Sequence, residues 1–134
     1  MFAGKNISIF SMKKPYIFLP CISSCQDFTS PAHKNQGLLR YHSSFKGKKN
    51  VVVLFYPFAF SGICTGELCA LRDDLSAFQN DGVELLAISC DSPFTQKVFA
   101  EREAYQFSVL SDFWPHGEVA KKYGVFDEAR GCAL

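Results

Sequence analysis

Two thiols five positions apart follow an unbroken apolar run in the stretch "PFAFSGICTGELC", residues 57–69. With Ser61 as the N-cap of a helix, Cys64 falls at the third helical position. There it lies among backbone N–H groups without intrahelical partners and at the positive end of the helix dipole. Both features favour a thiolate, the reactive form of cysteine, near neutral pH. Free cysteine is also among the most buried residue types, so Cys64 reads equally as the first apolar residue of a buried stripe. Glu67, three residues on, is either a support for active-site hydrogen bonds or a solvated first-turn carboxylate. Cys69 stands about 7.5 Å along an intact helix from Cys64 and ~140° around it. A disulfide needs Cα atoms within about 7 Å, so bonding between the two would require the first turns to unwind.

The remaining candidates carry less chemistry. Six cysteines in 134 residues are too few for a disulfide-stapled secreted scaffold, and no paired C-x-x-C spacing points to zinc. Cys90 and Cys132 read as packing residues, and Cys21 and Cys25 lie in the N-terminal stretch. His33, His42 and His116 form no metal-ligand pattern, which leaves a Cys–His protease little support. Phe113 and Trp114, in "FWPHG", read as core or dimer contact. A net charge of +1 gives no electrostatic reason to expect nucleic acid. Nothing reaches the length of a bilayer span, so no membrane association is expected either.

These residues need elements to hold them. The chain has the length of one domain, and 48% hydrophobic content with fourteen phenylalanines suggests a packed core without staples. Residues 1–25 form an extension, with Lys5, Lys13 and Lys14 but no acidic residue before Asp27, read as disordered or as an address. Residues 26–134 form the domain. The segment 27–40 reads as a hairpin or meander turning near Gly37. Val51 to Tyr56, VVVLFY, lacks alternation, as expected of a strand buried on both faces of a parallel sheet. From Gly62 to Phe78, Cys64, Leu68, Leu71, Leu75 and Phe78 share one helical face, and "NDG" at 80–82 stops the helix. Val83 to Ser89 is a second strand, "DSP" at 91–93 caps a helix from Phe94 to Tyr105, and Phe107 to Leu110 is a third strand. A short helix from Gly117 to Tyr123 ends at Gly124, and "DEARGCAL" turns into a strand begun at Cys132. This order predicts an α/β fold, a mostly parallel sheet with right-handed crossovers and flanking helices, left unfinished at Leu134.

The pattern P-x-x-x-[ST]-x-x-C, met by Pro57, Ser61 and Cys64, resembles the peroxiredoxin signature. "DFT", "FKGKKNVVVLFYPFAFSGICTGELCALRDDLSAF", "SDFWPHGEVAKKYGVFDE" and "GCAL" are similar to the alkyl hydroperoxide reductase E-like branch, near the bacterioferritin comigratory proteins. The resemblance covers about residues 26 to 134 and implies a thioredoxin-like fold. It implies reduction of hydrogen peroxide or organic hydroperoxides by Cys64 as peroxidatic cysteine, oxidised to sulfenic acid. In that pattern the Ser61 hydroxyl holds the peroxide, amides near Ile63 and Cys64 stabilise its oxygens, and Pro57 shields the thiolate. Cys69 takes the position of a resolving thiol, and Glu67 that of an acidic support. The implied partners are a peroxide, a thiol reductant of thioredoxin, glutaredoxin or mycoredoxin type, and a second copy in a homodimer, without cofactor or metal. The implied location is the cytoplasm, unless the extension is an organellar or other address.

Relatives of this type continue past "GCAL" with an arginine, further strands and a terminal helix, whereas this sequence stops at Leu134. The expectation is therefore a chain lacking the C-terminal strand and helix. That leaves an alternative from another class, a non-catalytic peroxiredoxin remnant that associates with a full-length relative.

Overall fold

A computed structural model describes residues 7–11, 29–31, 38–40, 50–78 and 83–134. Its main sheet has four strands in the order β1 (Ile7–Ser11), β4 (Asn50–Phe55), β5 (Val83–Ser89), β6 (Ser108–Ser111). All three pairings are parallel, with Ile7 opposite Val51, Asn50 opposite Val83 and Leu86 opposite Ser108. Strands β2 (Thr29–Pro31) and β3 (Leu38–Arg40) pair antiparallel, as a hairpin requires. The turn expected near Gly37 and the "NDG" stop at 80–82 lie outside the described residues.

The absence of alternation in VVVLFY follows from burial on both sides. Val51, Val53 and Phe55 pack on one face with Leu86, Ile88, Leu110, Ala120, Val125 and Ala133. Leu54 and Tyr56 point to the other face, with Leu85, Ala87, Val109, Phe107, Phe99, Leu68 and Cys64. Helices α1 (Gly62–Asp73), α2 (Leu75–Phe78) and α3 (Pro93–Arg102) belong to this second face. The first is covered by α4 (Glu118–Lys122) and by a small antiparallel hairpin, β7 (Phe126–Asp127) with β8 (Cys132–Ala133). Because successive strand side chains alternate between faces, one apolar run supplies two cores.

Three sequence expectations differ from the structure. The helix expected from Gly62 to Phe78 breaks at Asp74, whose φ of −109° and ψ of 26° leave the helical region. Leu71 and Leu75 nonetheless pack on the same core as Cys64 and Leu68, so the break preserves the apolar stripe. The strand begun at Cys132 does not extend the main sheet but returns antiparallel on β7, four residues of turn separating them. And within the extension, Ile7–Ser11 forms the edge strand beside β4, while its other residues lie outside the described set.

The caps explain where the helices start. Ser92 Oγ accepts a hydrogen bond from the Thr95 N–H at 3.2 Å and Pro93 opens α3, the arrangement "DSP" predicts. Asp112 serves α4 from five residues before its N-cap, its carboxylate accepting from the N–H groups of Val119 at 3.1 Å and Ala120 at 2.9 Å. Burial pushes the Asp112 carboxyl above the usual range against the opposing pull of those two amides. Gly117, at φ +67°, precedes α4 in the left-handed region, and a Cβ there would meet the Phe126 ring at 2.1 Å. Glycine is needed on both counts, conformation and space.

Candidate active site

Strand β4 ends by delivering Tyr56 into the core, and the chain then crosses its carboxyl end through residues 57–61 before entering α1. Pro57 is buried, Ser61 is half-buried, and Cys64 is 4% exposed on the inner face of α1 beside Leu68. Ser61 holds the N-cap backbone conformation (φ −71°, ψ 140°), and its carbonyl accepts from the Thr65 N–H at 2.9 Å. Its hydroxyl makes no capping bond to the helix. The amides of Gly62, Ile63 and Cys64 belong to the first turn, where a helix has no internal acceptors to offer.

The loop itself is unusual at Phe60, a non-glycine residue at φ 63°. Such a conformation is costly, on the order of 1–3 kcal/mol, and persists only where its surroundings impose it. Three contacts hold it. The Phe60 ring packs on Phe99 at 4.9 Å between centroids, the Arg102 guanidinium lies 5.8 Å from the Phe60 ring centroid, and the Ala59 N–H donates to Asp91 Oδ2 at 2.8 Å.

Behind the loop runs a polar relay. Ser89 Oγ donates to the same Asp91 oxygen at 2.6 Å and accepts from Gln96 Nε2 at 2.5 Å. Gln96 Nε2 also reaches the Leu110 carbonyl at 3.1 Å, and Gln96 Oε1 accepts a short bond from the Tyr56 hydroxyl. Burial, the largest influence, raises the Tyr56 phenol well above its ordinary range, so it stays a donor. Sequence reading saw Asp91 only as part of a helix cap, and gave Gln96 no role. No periodicity announces them, because their partners lie 32 and 40 residues away.

The other expected residues separate into two places. Cys69 is half-buried, its Sγ 3.7 Å from Glu103 Oε2 and 3.9 Å from the Tyr105 hydroxyl, toward the end of α3. Helix α1 is continuous through both Cys64 and Cys69, and both are free thiols. Glu67 is exposed. On the opposite side, Arg130, which the sequence reading did not single out, donates from Nη2 to Cys132 Sγ at 3.2 Å. Its guanidinium also lies 6.0 Å from the Phe58 ring of the loop. Phe113 and Trp114 are not core, as one reading had it; Trp114 is 82% exposed. His116 is exposed and bonds the Gly131 carbonyl through Nε2 at 2.6 Å. No group of metal-ligating side chains occurs among the described residues.

The AhpC/TSA family model matches residues 23–134, which include this strand-to-helix turn and its thiol. The chain belongs to the AhpC/TSA family. It is a peroxiredoxin, and the parallel sheet with its flanking helices is the thioredoxin-like fold of that group. Over 111 residues it is 47% identical to alkyl hydroperoxide reductase E of Mycobacterium tuberculosis, covering 83% of this chain and 71% of that protein. Peroxiredoxin Bcp of Escherichia coli is 38% identical over 86 residues, 64% of this chain and 53% of that one. Among solved structures, the reduced 2-Cys peroxiredoxin of Plasmodium vivax superimposes with a TM-score of 0.68 at 29% identity, covering 81% of this chain and 71% of that one. Peroxiredoxins are peroxidases, and the chain is accordingly an enzyme of the thiol-peroxidase type.

Cys90 of this peroxiredoxin lies at the carboxyl end of β5, buried, and burial pushes its thiol up to about 12, with the Asp112 carboxylate adding to the effect. The neutral thiol is therefore the form the fold accommodates. Cys90 is expected to resist iodoacetamide at pH 8 while the half-buried Cys69 reacts, which peptide mass mapping after a timed alkylation measures. The sign for stability is equally fixed. A thiol raised above its unfolded value of 9.0 costs stability as pH climbs from about 9 toward 12.

Proposed function

We propose that Cys64 is the peroxidatic cysteine of a thiol peroxidase that reduces hydrogen peroxide and organic hydroperoxides. The observation that carries this reading is the placement of buried Cys64 at the third position of α1, in the same first turn as Ser61, whose hydroxyl makes no capping bond to the helix. In the reaction the Cys64 thiolate attacks the nearer peroxide oxygen. The O–O bond breaks as the S–O bond forms, so sulfur loses two electrons and the peroxide gains them. The departing oxygen takes a proton and leaves as water or an alcohol, with sulfenic acid left on Cys64. Ser61 and the amides of Ile63 and Cys64 orient the peroxide and meet the charge that develops on its oxygens, while buried Pro57 excludes water. Glu67, exposed, supports the first turn from outside.

Recycling requires a thiol. Cys69 is the internal candidate, but it is anchored toward Glu103 and Tyr105 on a continuous helix, so it reaches Cys64 only if α1 unwinds. Otherwise an external reductant of the thioredoxin, glutaredoxin or mycoredoxin type completes the cycle. The working form is a homodimer in the cytoplasm. Support for association comes from Phe94, Val98, Phe113 and Trp114, all exposed apolar residues, and no helix among the described residues is long and apolar enough to cross a membrane.

Treatment with one equivalent of peroxide in the presence of dimedone tests the chemistry. The adduct is expected on Cys64, and omission of dimedone leads to either a Cys64–Cys69 disulfide or a mixed disulfide with added thiol. Labelling that spares Cys64 and falls on another cysteine would overturn the assignment.

A further inference from the structure

Among the described residues, few hydrogen bonds tie the loop backbone between Tyr56 and α1. The Tyr56 N–H reaches the Ile88 carbonyl at 3.0 Å at its start, and Ser61 enters the helix at its end. In between, the Ala59 N–H donates to the Asp91 carboxylate, one residue before the strained Phe60. Asp91 is itself held in place on several sides. Its Oδ2 accepts from Ser89 Oγ, its N–H donates to Ser89 Oγ at 3.2 Å, and its carbonyl accepts from Ser111 Oγ at 2.6 Å. Ser89 in turn is fixed by Gln96, which is 1% exposed and also takes the Tyr56 hydroxyl. The relay thus grips the loop twice, at Tyr56 before Pro57 and at Ala59 before Phe60 and Ser61. Its members are Tyr56 just past β4, Ser89 at the end of β5, Asp91 in the turn that follows, Gln96 on α3 and Ser111 at the end of β6.

We propose that Asp91 is a positioning residue for the peroxidase site, its carboxylate fixing the loop that aims Ser61 and the first turn of α1 at the peroxide. The inference rests on the reading of Cys64 as the attacking sulfur, and acts through the loop rather than by contact with substrate. A strained backbone one residue from the anchor springs away when the anchor goes, and Ser61 is displaced with it. Misplacement of about 1 Å in such a site costs on the order of a hundredfold in rate.

The test is a set of three substitutions read by stopped flow in the two half-reactions separately. Asp91→Ala is expected to lower the rate constant for oxidation by hydrogen peroxide roughly a hundredfold. Reduction of the oxidised protein by dithiothreitol, which needs no oriented peroxide, is expected to proceed at the wild-type rate. Asp91→Asn keeps an acceptor oxygen at the same place and restores most of the oxidation rate. Asp91→Glu keeps the charge but lengthens the arm, and stays slow. Should the alanine variant not fold, the asparagine and glutamate variants carry the comparison: a fast asparagine beside a slow glutamate supports positioning. The reverse order points to charge instead and overturns it. Wild-type oxidation by all three, with Cys64→Ser inactive, likewise overturns the role of Asp91 while leaving the peroxidase reading intact. A fully active Cys64→Ser would sink that reading first.

Discussion

Cys64→Ser is expected to lower peroxide consumption by roughly a thousandfold or more, to the background of the remaining thiols. The substitution changes one atom. It shortens only slightly a side chain that is buried beside Leu68 and β4, and leaves the amides of the first turn and the Ser61 hydroxyl as they are. What it removes is the atom that is oxidised, since an alcohol has no counterpart of the sulfenic acid. The measurement is peroxide loss followed directly with excess dithiothreitol, against the parent chain and against Cys69→Ser. Because an external thiol replaces an internal one in that assay, the Cys69 variant is expected to stay close to the parent. A Cys64→Ser protein that still turned over peroxide would transfer the chemistry to another sulfur.

The largest effect on stability is expected at Phe99. Its side chain is fully buried on the face of α3 that meets the sheet, with rings of Tyr56, Phe60 and Tyr105 at 6.3, 4.9 and 5.2 Å. Phe99→Ala leaves a cavity lined by those rings, which cannot all collapse into it because Tyr56 is bonded to Gln96 and Phe60 sits on a strained loop. The expected loss is about 3–5 kcal/mol, read from the shift of the urea midpoint at constant slope. Peroxide reactivity is expected to suffer as well in whatever fraction stays folded, since the ring that props Phe60 is gone. A loss below about 1 kcal/mol would mean that the cluster repacks freely, contrary to its ring contacts.

The sequence made some of this legible for reasons that the structure clarifies. VVVLFY was readable because burial on both faces removes alternation, and Val83–Ser89 was readable because turn residues bound it. Ser92 and Pro93 mark the start of α3 through local chemistry, a cap and a fixed φ, which needs no knowledge of the fold. Cys64 was placed by the same local logic. The kink at Asp74 was hidden because Leu71 and Leu75 keep facing the core across it, so periodicity shows no interruption. Asp91, Gln96 and Arg130 were hidden for a different reason. Each acts through partners far away in the chain or across a hairpin, and a polar residue's type says nothing about which distant backbone it meets. Trp114, bulky and apolar, reads as core or dimer contact, and its exposure removes only the first of these; hydrophobicity alone does not separate a core residue from a surface one.

The all-parallel main sheet also carries an implication for how the chain assembles. No parallel pair can zip up from a tight turn, so each must wait for a crossover to close, and the entropy of closure grows with the chain between the partners. Leu86 with Ser108, Asn50 with Val83, and Ile7 with Val51 are successively farther apart. Joining β1 to β4 therefore carries the largest closure entropy of the three pairings, and joining β5 to β6 the smallest.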